Sequence, residues 1–222
     1  MRTRIGVICA PQNGLGIGAA RRGLMGWLFA RRERGAFLLH LDQGATSGVD
    51  DLCRDLAWLG IDWDEALSTA KQYRSLCQRC ARQLGGRGLA YEAPLSTFEQ
   101  RVEGHVPTGL WLRADPSIKD DARDILLLGR DRAPTSFLIG VVAAHERGIT
   151  HLFCDRSALE DSNRQRLLCN ALGWASPRYI HLPSIVDANR DPMPVEGWTV
   201  ADLRHEGYLP LAVANQLARL GW

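Results

Sequence analysis

The chain has 222 residues, of which 45% are hydrophobic and 23% are charged, and its formal net charge is +2. This composition is typical of a globular protein with one sizeable core or two small ones, and the small net charge excludes a strong overall attraction to nucleic acid. No apolar run approaches the roughly 18–20 residues that cross a bilayer, and the N-terminus lacks a small-residue cleavage site, so we expect a cytoplasmic protein.

The first elements form a strand, a turn, a helix and a second strand. "RIGVICA" at 4–10 is apolar and β-branched, which predicts a buried strand. A glycine-rich turn at 11–18 follows, and apolar residues at helical spacing then predict an amphipathic helix over 20–31. "AFLLHLD" at 36–42 predicts a second buried strand.

The middle of the chain is helical and then irregular. Asp50 is the predicted cap of a helix that Gly60 stops, and residues 66–84 predict a third helix. The stretch at 93–123 contains three prolines, and we interpret it as an insertion or connector.

The second half returns to alternating elements. Further strands are predicted at 124–129, 150–154 and 178–186. A helix is predicted toward the end of 135–147, and another starts at Asp161 or Ser162 and stops at Gly173; two C-terminal helices flank "GYLP". Strands that alternate with helices predict an α/β fold with a parallel sheet, in which ligands bind beyond the carboxyl ends of the strands.

The glycine turn is the first candidate site. Gly14, Gly16 and Gly18 lie between a strand and a helix, where backbone N–H groups can hold a phosphate. A dinucleotide fingerprint needs a third glycine three residues on and an acid about 20 residues beyond. Asp42 stands where the ribose-binding acid would be, but the glycine spacing is imperfect. The turn and Asp42 leave a nicotinamide-dependent dehydrogenase as an alternative, but the imperfect glycine spacing does not favour it.

The six cysteines show no metal-binding spacing. Cys77 and Cys80 form a CxxC inside a helical pattern, and no second ligand pair follows at zinc spacing. Helix packing is favoured over a zinc or redox role, and we expect no metal site. Unpatterned cysteines in a chain of this size indicate a reducing compartment.

Several segments, in chain order, resemble the catalytic domain of bacterial glutamyl-tRNA synthetases and of their truncated relatives that glutamylate queuosine in tRNA. The matching segments are "GAARRGLMGWLFARR" (18–32), "DLAWLGIDWDE" (55–65), "GITHLF" (148–153), "RQRLLCNALGW" (164–174), "RYIHLP" (178–183) and "EGYLPLAVANQLARLGW" (206–222). The resemblance implies a Rossmann-type class I synthetase domain with a parallel sheet, a shrunken insertion and a short C-terminal helical stem.

The resemblance also implies a domain organisation. We expect a Rossmann-type synthetase-like domain over 1–186, with a reduced insertion at about 93–123, and a degenerate signature loop with the stem over 187–222. The family's anticodon-binding domain is not expected. The start of the insertion, where the family often carries a zinc knuckle, reads "YEAP" and offers no ligand.

The family's phosphate-handling side chains are missing. Gly16 stands at the first His of the HIGH-type signature, while Gly18 keeps the glycine that lets phosphate approach the helix. The loop "DANRDPMPVEG", where the KMSKS-type lysines belong, has none, since the chain's only lysines are Lys71 and Lys119. Loss of one preorganised donor costs on the order of 10²–10³ in rate. The vestigial nucleotide-binding residues are Pro11, Asn13, Gly14, Gly16 and Gly18.

The amino-acid pocket is also altered. Arg4 matches an arginine of the family's first strand, although two extra residues separate it from the signature, and Asp42 replaces a glutamate. The remaining vestigial pocket positions are Ser136 for a tyrosine, Gly140 for a polar residue and Cys154 for the arginine that reads the glutamate side chain. Without that arginine a carboxylate has no bidentate partner, so glutamate recognition in the family's manner is not expected.

These losses favour a pseudo-synthetase that binds a ligand, tRNA or a protein partner without activating an amino acid. We expect no resident cofactor, with residual binding of ATP or another nucleotide left open. One alternative is a remodelled enzyme that uses Asp42, Ser136, Cys154 and His40, although a packed strand residue is favoured for His40. The other is a truncated ATP-dependent glutamyl-tRNA ligase of the queuosine type.

Two surfaces are candidates for partners. The arginine-rich helix at 21–34 starts at the predicted site, where it could meet tRNA phosphate, although a solvated helix face is the favoured interpretation. The stem face at 200–222 could pair with a protein partner or a second copy of the chain.

Overall fold

The structure is a computed structural model that describes residues 2–9, 14–41, 48–95, 108–114, 123–186 and 198–220. The strands are β1 (Arg4–Cys9), β2 (Ala36–Leu41), β3 (Ser68–Thr69), β4 (Ala90–Pro94), β5 (Thr108–Leu112), β6 (Ile125–Leu128), β7 (His151–Asp155) and β8 (Arg178–Leu182). The helices are α1 (Ile17–Arg32), α2 (Val49–Trp58), α3 (Ala70–Gly86), α4 (Ser136–Glu146), α5 (Leu159–Leu172), α6 (Val200–His205) and α7 (Pro210–Arg219). The α/β class predicted from the sequence is confirmed.

The chain divides into two compact units. The first comprises Met1–Thr69, Arg147–Leu159 and Pro177–Trp222, and the second comprises Ala70–Glu146 and Glu160–Ser176. None of the helices within the described ranges is long and apolar enough to span a membrane.

The first unit contains the predicted parallel sheet. Its five strands are ordered β3-β2-β1-β7-β8, and every neighbouring pair is parallel. Helix α1 lies close on the sheet at Gly26, because a Cβ there would come within 3.2 Å of the Ile5 and Phe37 side chains. Helix α7 packs on α1 and adds Val213 and Leu217 to the same core.

The second unit has its own core beneath a three-stranded sheet ordered β4-β5-β6. Helices α3 and α4 contact each other there, and Leu84, Leu127 and Val142 are fully buried. Cys77 and Cys80 pack in this core, as the helical pattern predicts, and burial raises the pKa of the Cys77 thiol to about 12.

The structure corrects the prediction for strand Ile125–Leu128. This strand pairs antiparallel with β5, and β5 pairs antiparallel with β4, so all three lie outside the parallel sheet. Strands β4 and β5 also occupy parts of the region that the prolines marked as irregular. The stability of a strand depends on the packing of its side chains against cross-strand neighbours, which local composition does not report.

Two helix starts differ from the prediction. Gly48, with φ of +84°, is the N-cap of α2, and Asp50 lies in the first turn. Helix α5 begins at Leu159 after a short 3-10 turn, so Asp161 and Ser162 lie inside it. From the first turns of their helices, Asp50 and Asp161 still interact favourably with the positive end of the helix dipole. The predicted stops at Gly60 and Gly173 are confirmed, with φ of +76° and +74°.

Candidate ligand site

The site predicted by the fold lies where the sheet reverses its order. Strand β1 has β2 on one side and β7 on the other, so the crossover connections leave β1 in opposite directions. In a parallel sheet the carboxyl ends of the strands on either side of such a point form a crevice for ligands. Helix α1 follows β1 and begins at this position.

The glycine turn fits the start of α1. Gly14 has a φ of +72°, a conformation that glycine adopts without strain. Gly16 is the N-cap and offers no side-chain cap, and a Cβ at Gly18 would meet no atom of the described residues within 4 Å. A glycine in the first turn also leaves room for a phosphate that approaches a helix N-terminus.

A segment just before α6 forms backbone hydrogen bonds with the start of α1. The Ile17 N–H donates to the Trp198 carbonyl at 3.1 Å, and the Val200 N–H donates to the Leu15 carbonyl at 2.8 Å. Gly16 and Thr199 form an antiparallel bridge between these two hydrogen bonds. The first helical N–H group is therefore bonded to the chain itself.

Asp55 is a residue of this region that the sequence analysis missed. Its carboxylate is buried, accepts the Leu15 N–H at 3.4 Å and lies 3.2 Å from the Arg204 guanidinium. Burial raises the pKa of Asp55, although the Leu15 hydrogen bond and Arg204 act in the opposite direction. The available signal was its position on the same helix face as Leu52 and Leu56, which predicts burial for any residue type.

Most arginines of α1 form hydrogen bonds or ion pairs with other residues of the chain. Arg21 is 2% exposed and donates to the carbonyls of Pro183 and Leu220. Arg22 forms an ion pair with Asp155 at the end of β7. The prediction of a solvated face is therefore wrong for these two residues, and their charges are directed into the first unit.

Farther along α1, Arg31 is also paired. It lies 2.7 Å from the Asp62 carboxylate and 2.8 Å from that of Asp64, and the resulting hydrogen bonds raise its pKa. Arg32 and Arg34 are exposed. Only the last turn of the arginine-rich segment thus agrees with a solvated face.

The predicted pocket residues are not all at the crevice. Cys154 lies near the carboxyl end of β7, one residue before Asp155. Arg4 is the first residue of β1, at the opposite end of the strand, where it donates to the Arg147 carbonyl at 2.7 Å and pairs with Glu65 at 2.7 Å. Arg4 therefore lies at the end of β1 that is away from the start of α1.

Two predicted site residues belong to the second unit, and three others are not among the described residues. Ser136, at the exposed start of α4, and Gly140, in the same helix, belong to the second unit. Pro11, Asn13 and Asp42 lie outside the described residues. The first unit therefore brings together Gly14, Gly16, Gly18 and Cys154 from the predicted set, at the ends of strands β1 and β7.

His40 is a buried strand residue. Its Nδ1 lies 2.9 Å from the Ser68 hydroxyl, and burial together with Arg147 lowers its pKa to about 4. This environment agrees with the favoured interpretation of a histidine packed within the fold. No group of three or more potential metal ligands is found among the described residues.

The C-terminal stem carries an exposed apolar face. Tyr208, Leu209 and Leu211 are 53%, 70% and 81% exposed, and they lie at the junction of α6 and α7. Large apolar side chains exposed together often mark an interaction surface. The partner proposed for this stem stays a prediction.

Comparison with known proteins agrees with the resemblance. The family model for the catalytic domain of class I tRNA synthetases (E and Q) matches residues 2–105 and 117–222. "Glutamate--tRNA ligase 2" of Rhodospirillum rubrum is 31% identical over 96% of this chain and 56% of its own length. The glutamate–tRNA ligase of Nitrosomonas europaea is 32% identical over the same shares. The chain thus spans a little over half the length of these curated relatives.

Solved structures show the same fold. The glutamate–tRNA synthetase of Elizabethkingia anophelis has a TM-score of 0.83 at 19% identity, and it is matched over 100% of this chain and 62% of its own. A glutamate–tRNA ligase from Elizabethkingia meningosepticum, in complex with its amino acid, has a TM-score of 0.80 at 20% identity, with 61% of its chain covered. The chain belongs to the class I tRNA synthetase family (E and Q), whose catalytic domain it matches over nearly its whole length.

Proposed function

We propose that this chain is a pseudo-synthetase, a protein that keeps the synthetase fold to bind a ligand or partner and does not activate an amino acid with ATP. The observation that carries the proposal is the start of α1. Gly16 has no side chain to offer a phosphate, and the Ile17 N–H is bonded to the Trp198 carbonyl. We place the protein in the cytoplasm, in keeping with the five free cysteines among the described residues.

The charges around α1 support the proposal. Joining a carboxylate to the α-phosphate of ATP builds negative charge that preorganised donors must stabilise. Arg21 bonds to backbone carbonyls and Arg22 bonds to Asp155, so both cations of the first two turns have internal partners. The loop at 187–197 contains no lysine that could replace them.

The predicted amino-acid pocket also supports the pseudo-synthetase proposal. Cys154 stands where the family resemblance places the arginine that reads a glutamate side chain, and a thiol cannot form the bidentate contact of a guanidinium. Arg4, the other candidate for a charged end of the substrate, is held by Glu65 at the opposite end of β1. Glutamate would therefore meet no arginine from either predicted position.

The test is ATP–pyrophosphate exchange on the purified chain with each of the twenty amino acids, with and without total tRNA. Loss of one preorganised donor costs on the order of 10²–10³ in rate. Because the donors of both the HIGH-type and the KMSKS-type signatures are missing, we expect pyrophosphate exchange at the background rate. The Nitrosomonas europaea relative, assayed beside it, provides the positive control for the reagents.

Exchange above background with any amino acid would contradict the pseudo-synthetase proposal. Glutamate-dependent exchange would favour the truncated ligase, and exchange with another amino acid would name a new substrate. If exchange is absent, a thermal-shift screen with ATP and other nucleotides tests the residual opening beside Gly18.

A further inference from the structure

Helix α7 of the first unit has an exposed face with almost no charge. Its inner side buries Val213 and Leu217 in the core. Its exposed residues, which we call the α7 outer face, are Leu211, Ala212, Asn215, Gln216 and Arg219. At 100° per residue these five fall within an arc of about 140°. Arg219, in the last turn, is the single charged residue of the helix.

Burial within the chain does not explain this low charge. Helix α2 has the same length of ten residues and contains four charged ones. Helix α4 is as poor in charge as α7, but six of its eleven residues are buried, whereas two of ten are buried in α7. An exposed face that is depleted of charge has the composition of the core of a protein interface.

Large side chains enlarge this face at the junction of α6 and α7. Tyr208, Leu209 and Leu211 are 53%, 70% and 81% exposed. Tyrosine is enriched at protein interfaces, and removal of leucine side chains from water favours association. The outer face and the junction together form one apolar region of the stem.

The two ends of this apolar region carry opposite charges. Glu206, the C-cap of α6, precedes the region, and Arg219 follows it in the last turn of α7. Both side chains are exposed, and neither forms an ion pair with another described residue. Ala212, the smallest side chain of the outer face, stands about midway between them in the chain. The region therefore becomes complementary to itself when it is turned end for end.

We propose that the α7 outer face pairs with the same face of a second copy of the chain, with the two helices antiparallel about a two-fold axis near Ala212. In such an isologous contact each pair of residues occurs twice, so Glu206 of each copy approaches Arg219 of the other. The distance between packed helices depends on the side chains at the contact, and Ala212 permits a close approach. The proposal goes beyond the loss of amino-acid activation and does not depend on it.

Other occupants fit this face less well. A membrane surface attracts helices whose polar side is rich in Lys and Arg, whereas α7 has one arginine and borders on Glu206. An unrelated protein accounts for the exposed leucines but not for the opposite charges at the two ends. A two-fold contact pairs those charges twice.

Sedimentation velocity of the full chain between about 1 and 200 µM measures the equilibrium between monomer and dimer. Because one helix and its junction make a small contact, we expect a weak dimer that dissociates at the lowest concentrations. Leu211→Glu places a charge in the contact and should raise the dissociation constant at least about tenfold. Leu159→Glu is the matched control and should change it less than about twofold, since Leu159 is also an exposed leucine in the first turn of a helix. An acid in a first turn is favourable, so both variants should keep the parent melting temperature.

Charge reversal tests the antiparallel arrangement. Glu206→Arg and Arg219→Glu each bring like charges together in a dimer of identical copies, so each should weaken self-association about tenfold. An equimolar mixture of the two variants has opposite charges at both ends of the mixed dimer. This mixed dimer, detected with a fluorescent label on one variant, should form with about the dissociation constant of the parent.

Three results would overturn the proposal. The first is a chain that stays monomeric at every concentration, and the second is a dimer that Leu211→Glu leaves intact. The third is a mixture of the two charge variants that associates no better than either variant alone. None of them depends on pyrophosphate exchange, so failure of this proposal is distinguishable from failure of the pseudo-synthetase proposal.

Discussion

Asp64 illustrates how a single loop carboxylate positions its neighbours. It accepts the Phe37 N–H at 2.7 Å and the Arg31 guanidinium at 2.8 Å, so it joins β2, α1 and the loop after α2. Asp62 adds hydrogen bonds from Arg31 and the Trp27 indole. The segment 61–65, part of the stretch 55–65 that resembles the family, therefore fixes α1 to the sheet.

His40 predicts a pH dependence of stability. Its pKa is about 4 in the folded chain, because of burial and Arg147, against an ordinary value of about 6.5. Stability is fully present above pH 6.5 and is lost as the pH falls toward 4, since the unfolded chain takes up the proton first. Between pH 7.5 and 5 we expect this residue to account for a loss of about 2 kcal/mol.

The measurement is urea unfolding of the parent and of the variant His40→Gln at both pH values. The variant should lack this part of the pH dependence. His205→Gln, at an exposed position, is the control and should behave as the parent does. Equal pH dependence in parent and His40→Gln would show that the buried imidazole does not titrate as described.

At the scale of elements, α6 is fixed at both of its ends. Thr199 and Asp202 form a reciprocal capping box at its start, and the Arg204 guanidinium in its last turn reaches Asp55 of α2. The backbone bonds of Trp198 and Val200 add the start of α1 to this arrangement. A six-residue helix, too short to be stable alone, is thereby held by tertiary contacts.

We expect Arg204→Met to lower the free energy of unfolding by about 2–3 kcal/mol at pH 7. The Asp55 carboxylate would then be buried without its cation, and the cost stays below the roughly 3–5 kcal/mol of a fully buried pair because Arg204 is a third exposed. The loss should shrink at pH 4, because burial raises the pKa of Asp55 and favours its protonated form.

Urea unfolding at the two pH values measures both quantities. Arg219→Met in α7 removes an exposed arginine and serves as the control, with an expected change below about 0.5 kcal/mol. A loss in Arg204→Met that is the same at pH 7 and pH 4 would contradict the assignment to the Asp55 pair.

At the scale of the whole molecule, each unit has its own apolar core. Leu56 is 1% exposed in the first and Leu84 is 0% exposed in the second. Truncating either side chain to alanine should cost about 2–5 kcal/mol. We expect the effect on local opening to be greatest in the unit that carries the substitution.

Hydrogen exchange of the backbone amides distinguishes the two cores. Leu84→Ala should speed exchange in α3 and α4 more than in β1 and β2, and Leu56→Ala should do the reverse. Uniform acceleration throughout the chain in both variants would show that the two units unfold as one.

Much of the fold was predictable from local sequence. The periodicity of apolar residues and the helix stops at Gly60 and Gly173 depend on a few neighbouring residues. They can therefore be predicted without knowledge of the tertiary contacts. The antiparallel strands β4 and β5 were not predicted, because strand formation depends on packing against cross-strand neighbours and the prolines of this region indicated irregular structure.

The candidate site was predictable only in part. The glycine turn was placed correctly between β1 and α1, because it follows directly from the order of residues along the chain. Arg4 was assigned to the pocket by alignment, yet it lies at the other end of β1. In an extended strand, each residue of offset moves a side chain by about 3.3 Å and turns it to the opposite face.

The sequence by itself determined the family, the order of elements and the absence of lysine from the loop at 187–197. Only the tertiary structure decided that Asp55 is buried against Arg204, that Arg21 and Arg22 bond internally, and that the Trp198 carbonyl takes the first N–H of α1. The physical reason is the distance along the chain over which each of these effects acts. Propensity and periodicity act within a turn or two of chain, whereas charges and hydrogen bonds are satisfied by whichever groups the packed elements bring within about 3 Å.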